Sequence, residues 1–131
     1  MAKSFMDKYS DSFYFIFRVA VGLLFMQHGI QKLFGGLGGT KVESLVSLFG
    51  LAGIIEFFGG ILIALGLFTR FLAFISGAEM VGAWFIAHAK QGWIPIINLG
   101  ELALLYLACF LVILSQGPGI YALDNLFEKK R

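Results

Sequence analysis

Seven acidic or basic side chains fall inside stretches of sequence that are otherwise apolar: Arg18, His28, Lys32, Glu56, Glu79, His88 and Glu101. If those stretches lie in a bilayer, each isolated charge at mid-depth costs about 2.5–3.5 kcal/mol even on lenient insertion scales. The groups must therefore pair with one another, carry protons or line a polar cavity. Arg18, Glu56, Glu79 and Glu101 are expected to form a buried polar core that carries the chemistry, with His28, His88, Lys32 and Asn98 as ligand-binding groups towards its outer mouth. A guanidinium inside a membrane cannot shed its proton. Arg18 is therefore expected to contact a glutamate, Glu56 first, because that residue comes from the sequentially adjacent antiparallel helix. Charge balance leaves at least one carboxyl without a cationic partner. Glu79 is expected to be that one, since Gly77, Ala78 and Gly82 around it offer no donors, whereas Glu101 has Asn98 one turn away.

Several kinds of chemistry fit such a set. Buried glutamates and histidines can handle protons or hold the polar head of a quinone, they can ligate metals on facing helices, and midplane carboxylates serve proton-coupled solute carriers. They can also do nothing more than fix helix register. The spacing weighs against a metal: di-iron bundles use a Glu-x-x-His pair on one helix, and none occurs here. Glu79 and His88 are nine residues apart, half a turn out of phase and about 13 Å apart along a straight helix. No haem ligand pair, nucleotide-binding loop or CxxC is present, and Cys109 is the only cysteine, so no metal, haem or nucleotide is expected and electrons would arrive through a quinone or a partner subunit.

The elements that position these residues follow from composition. The 131 residues suffice for one domain; 59% are hydrophobic and 14% charged, with a mean hydropathy of +0.86. A water-soluble globule this small needs far more charge to cover its surface. Four stretches approach the roughly 20 apolar residues that span hydrocarbon: about 12–34, 44–68, 71–89 and 94–116. They predict an all-α integral membrane four-helix bundle, up-down-up-down, over a single domain 1–131. The segment after Gly117-Pro118-Gly119 is expected to lie at the membrane surface. The polar N-terminus does not resemble a cleavable signal. Four spans put Lys3, Lys8, Arg18, Arg70, Lys129, Lys130 and Arg131 on one side and Lys32, Lys41 and Lys90 on the other, which predicts a multi-pass cell-membrane protein with both termini cytoplasmic. No basic tract of the kind that binds nucleic acid appears. The expected partners are lipid, a redox subunit and further copies of the chain.

On the first helix Arg18, Gly22, Phe25, Gly29 and Lys32 share one face, and the glycines would let a neighbour approach closely. On the second, Glu56 and Gly60 stand one turn apart, followed by Ala64. Trp84, Trp93 and Tyr121 fit interfacial belts. Most of the 15 phenylalanines are expected to face lipid.

These residues resemble the DoxX family of small four-helix membrane proteins. The likeness rests on Arg18 with Gly22, on His28-Gly29-Ile30-Gln31-Lys32-Leu33-Phe34, on Glu56-Phe57-Phe58-Gly59-Gly60 and on Leu65-Gly66-Leu67-Phe68-Thr69-Arg70. Met80, Ala87-His88, Asn98-Leu99-Gly100-Glu101, Gly117-Pro118-Gly119 and Asp124 extend it. Leu99 departs from the pattern, which has glycine there. The resemblance implies a membrane subunit of a quinone-linked oxidoreductase system. The alternatives are a non-catalytic membrane scaffold for a redox or transport partner, and a proton-coupled small-solute carrier.

Overall fold

The computed structural model describes Ser4 to Glu128; the expectations placed on Lys3, Lys129, Lys130 and Arg131 lie outside these residues. Every regular element among them is helical. After a short 3-10 turn, Phe5–Tyr9, the long helices are α1 (Ser10–Phe34), α2 (Leu48–Leu65) and α3 (Thr69–Gln91). A single turn α4 (Pro95–Asn98) precedes α5 (Glu101–Gln116), and α6 (Asp124–Glu128) closes the described chain. α1 (with its preceding turn), α2 and α3 are long and apolar enough to cross a membrane, while the equally apolar α5 has 16 residues.

Two intimate pairs build the bundle: α1 packs along α2, and α3 along α5. The first pair depends on glycine. A Cβ on Gly22 would sit 2.7 Å from the backbone nitrogen of Ala64, one on Gly60 would meet Met26, and one on Gly29 would run into Phe57. The two backbones are therefore almost in contact, the small-residue packing that membrane helices use in place of a hydrophobic driving force. This crossing fixes the register of α1 on α2. Between the pairs, Phe25 stacks edge-on to Phe110 at 4.7 Å and packs at 5.2 Å against Tyr106, over a core completed by Ile63, Ala73, Met80 and Ile113.

At one end the helix termini are closed by charge. Arg18, 1% exposed, donates from Nε to the carbonyl of Ile63 at 3.0 Å and from Nη2 to those of Ala64 (3.2 Å) and Tyr121 (2.8 Å), while Nη1 donates to the carbonyl of Pro118. Ile63 and Ala64 end α2, so the cation stands where the helix dipole is negative. Arg70 does the same for α5, donating to the carbonyls of Leu114 and Ser115. The Asp124 carboxylate accepts from the amides of Phe68 (2.8 Å) and Thr69 (3.0 Å), a cap for the start of α3 supplied from 55 residues away. Tyr14 Oη donates to the Gly117 carbonyl at 2.5 Å.

Several element boundaries differ from expectation, each for a definite physical reason. α2 starts at Leu48 because the Ser47 hydroxyl accepts from the Gly50 amide at 3.0 Å, and it stops where Gly66 turns left-handed at φ 73°. α3 begins two residues early, at Thr69, because the distant Asp124 caps it. The fourth apolar stretch is broken rather than continuous: Leu99 takes φ 60°, and the buried Asn98 holds the corner, its Oδ1 accepting from the Gly100 amide and its Nδ2 donating to the Gly92 carbonyl, both at 2.8 Å. A left-handed leucine costs about 1–2 kcal/mol. The segment from Pro118 to Asp124 is tied to Arg18 and to the end of α2 through its backbone, with Ile120, Tyr121 and Leu123 exposed.

Candidate functional site

The glycine-set register decides which charges meet. Lys32, near the end of α1, reaches Glu56 in the middle of α2: Nζ donates to Oε2 at 2.6 Å and to Oε1 at 2.7 Å. Arg18 contacts no glutamate, so the expected Arg18–Glu56 pair is not formed. Ala64, whose carbonyl Arg18 engages, lies eight residues along α2 from Glu56, or about 12 Å. The arginine spends its donors on carbonyls instead.

Lys32 and Glu56 form the polar end of a cavity of about 630 Å³, within the range of small-molecule sites. Its walls come from α1 (Phe25, His28), α2 (Leu51, Ala52, Ile55), α3 (Ala78, Met80, Gly82, Ala83, Ile86) and α5 (Leu102, Ala103, Tyr106). Glu79 and His88 also face it. Glu79 is half-buried, and its Oε2 is buried without any hydrogen-bond partner among the described residues. His28 sits edge-on to the Tyr106 ring at 5.8 Å. His88 Nδ1 pairs with the Asn98 carbonyl at 3.0 Å, which makes that ring nitrogen the donor and leaves Nε2 free.

Two π turns border the cavity, Ile55–Gly59 carrying Glu56 and Trp84–His88 carrying His88. A π turn holds one residue more than an α turn and re-aims the side chains that follow it; such turns concentrate at functional sites. Sequence reading did not anticipate them, although Gly59-Gly60, three and four residues after Glu56, is a composition that tolerates such a distortion.

Of the eight expected site residues, Glu56, Glu79, His28, His88 and Lys32 share this cavity. Three do not. Arg18 lies at the opposite end, among helix termini. Glu101 is exposed in the first turn of α5, facing away beside Pro95, Leu105 and Ala108, where the positive helix end offsets its charge. Asn98 is a buried corner brace rather than a wall of the cavity. Groups missed by sequence reading are Tyr106, which backs His28, and the apolar walls at Ala52 and Gly82. Among the described residues no three of His, Cys, Asp and Glu converge as metal ligands.

An all-helical membrane protein with a polar-ended cavity between its helix pairs is the class that fold and site define. The DoxX family model matches residues 13–89, and the chain belongs to that family. A Haemophilus influenzae protein of uncharacterised function is 42% identical across 95% of this chain and 98% of its own length. The inner membrane protein YqjF of Escherichia coli K12 is 27% identical across 95% and 99%. The Bacillus subtilis protein CatD, whose name is provisionally that of an oxidoreductase, is 28% identical across 87% and 86%. No solved structure matches the chain.

The pairing of Lys32 with a carboxylate that is only 4% exposed leads to a stability prediction. Removing the cation alone in Lys32→Met strands the Glu56 charge. A cost of about 3 kcal/mol is expected, the low end for a broken buried pair because a quarter of the Lys32 side chain is accessible. Glu56→Gln on top of Lys32→Met should recover most of it. Detergent unfolding of both single variants and the double variant measures the coupling, and strictly additive losses would refute the pair.

Proposed function

We propose that this DoxX protein is a membrane subunit of a quinone-linked oxidoreductase system, and that the cavity between its helix pairs receives the quinone head. The observation that carries this reading is the composition of one cavity: apolar walls that suit a flat ring, and at one end an ammonium–carboxylate pair close to a second carboxyl, Glu79, whose Oε2 has no hydrogen-bond partner among the described residues. The residues fit such a ligand. Phe25 and Tyr106 present ring faces and edges, the Lys32 ammonium can donate to a ring oxygen of the quinone, and His88 Nε2 and Glu79 Oε2 can accept from the hydroxyls of the reduced quinol. A bound quinone supplies electron transfer coupled to protons. The chain's own residues bind and orient its head, and Glu79 provides a carboxyl oxygen at which a proton can be taken up or handed over. The oxidoreductase name of the distant relative CatD points the same way.

In this reading the chain crosses the bilayer four times as an up-down-up-down bundle. α4 and α5 together make the fourth crossing, and both termini are cytoplasmic. The basic residues favour that orientation, since Arg18 and Arg70 lie with the C-terminal segment at one end while Lys41 and Lys90 belong to the other. The cavity then opens towards the outer half of the membrane.

Two measurements test the proposal. Solvent extraction and mass spectrometry of protein purified in mild detergent should recover a quinone. Glu79→Gln, which keeps shape and removes the carboxylate charge, should retain about tenfold less while folding normally, the effect of exchanging a charged hydrogen-bond acceptor for a neutral one. Protein without quinone but with a co-purifying subunit would replace this reading with the scaffold, and equal quinone in Glu79→Gln would remove Glu79 from the site. For orientation, a Thr40→Cys thiol should be labelled from outside intact cells and a Glu128→Cys thiol should not; the reverse pattern would invert the topology.

A further inference from the structure

The walls of the cavity are not closed all round. Leu51 on α2, Ala78 and Ile86 on α3 and Leu102 on α5 line it, and all four are also exposed on the outside of the bundle, Leu51, Ile86 and Leu102 at 47–49%. Ala52 on α2 and Gly82 on α3 line it too, and they carry only a methyl group and a bare backbone. A Cβ built on Gly82 meets nothing within 4 Å. Of the polar groups in the cavity Glu56 is buried, and His28, Lys32, Glu79 and His88 are partly accessible. The first turns of α2 pack against α1, with Gly53 beside Lys32 and Leu33, while α3 packs on α5. The gap between them therefore lies along the sides of the helices and its rim is hydrocarbon.

We infer that the cavity is reached sideways from the hydrocarbon of the bilayer, through a cleft between α2 and α3 at the level of Ala52 and Gly82. Its ligand is a membrane-dissolved amphiphile whose polar head turns in towards Lys32, Glu56 and Glu79 while its apolar tail remains in the lipid. An aqueous path would need a polar rim, whereas every exposed residue lining the cavity is apolar, among them Leu48, Leu51, Ile86, Leu99 and Leu102, and Lys32 and His88 are only partly accessible. This inference rests on the proposed reading of the cavity as a ligand site, and it narrows the ligand from any quinone-like ring to one that partitions into lipid.

The test uses thiol labelling in membrane fragments open on both faces. Gly82→Cys, in a Cys109→Ala background, places a thiol in the cleft where the structure has room for it; Lys90→Cys serves as the exposed control. The Gly82→Cys thiol should react with uncharged, lipid-soluble pyrene maleimide. It should react about a hundredfold more slowly than the Lys90→Cys thiol with a permanently cationic methanethiosulfonate reagent, which hydrocarbon excludes. Decylubiquinone should slow the pyrene maleimide reaction at Gly82→Cys and leave Lys90→Cys unaffected. Equal rates with the cationic reagent at both positions would overturn the lateral route whatever the quinone does. The expected pattern of rates without protection by decylubiquinone would leave the route standing and count against the quinone reading instead. No reaction with either reagent would mean that the cleft is sealed, and would overturn the inference.

Discussion

Gly22, Gly29 and Gly60 let α1 and α2 meet backbone to backbone, and the rest of the molecule follows from the register this contact sets. With Gly22 against Ala64 and Gly29 against Phe57, Lys32 falls within reach of Glu56 and Arg18 falls level with the last turn of α2. Both outcomes are electrostatically sound in a medium without water. The carboxylate in the middle of α2 receives a cation, and the arginine receives carbonyl oxygens that no helix can satisfy for itself. A slip of one turn would break both arrangements together. A side chain at either glycine would force the helices apart by colliding with backbone, which cannot move as a flexible side chain can.

The molecule is consequently polarised from end to end. At one end Arg18, Arg70 and Asp124 neutralise three helix termini and bind the C-terminal segment into the bundle. The charges there are fully engaged in structure: Arg18 bonds four carbonyls, and the Asp124 carboxylate takes two amides. At the other end the accounting is left open, with one cation facing two carboxyls in a cavity. Glu79 has an oxygen without a partner in a setting where an unpaired polar atom costs about 1–3 kcal/mol.

Much of this was legible in the sequence. Apolar run lengths located the helices to within a few residues, the shared face of Gly22 and Gly29 foretold a close neighbour, and five of eight site residues converge as a group. The errors have definite causes. Arg18 was matched to Glu56 because charge pairing was weighed without register, and carbonyl oxygens at helix ends, which compete for a guanidinium, carry no signature in residue type. Glu101 looked like a core residue because it shares an apolar stretch with Asn98. The left-handed Leu99 breaks that stretch and turns the glutamate outward. The start of α3 depended on Asp124, a cap no local reading could supply. The π turns follow from packing rather than from periodicity, so a 3.6-residue pattern does not reveal them.

The central claim is that a register set by glycine builds a polar-ended cavity whose unpartnered carboxyl awaits a ligand. The most direct measurement is an experimental density map of the protein in nanodiscs drawn from its native membrane with nothing added. The account predicts elongated density in the cavity, its compact end within hydrogen-bond distance of Glu79 and its tail leaving between α2 and α3, with Lys32 still paired to Glu56. A cavity closed by side chains, with Glu79 bonded to a protein group in place of a ligand, would contradict it.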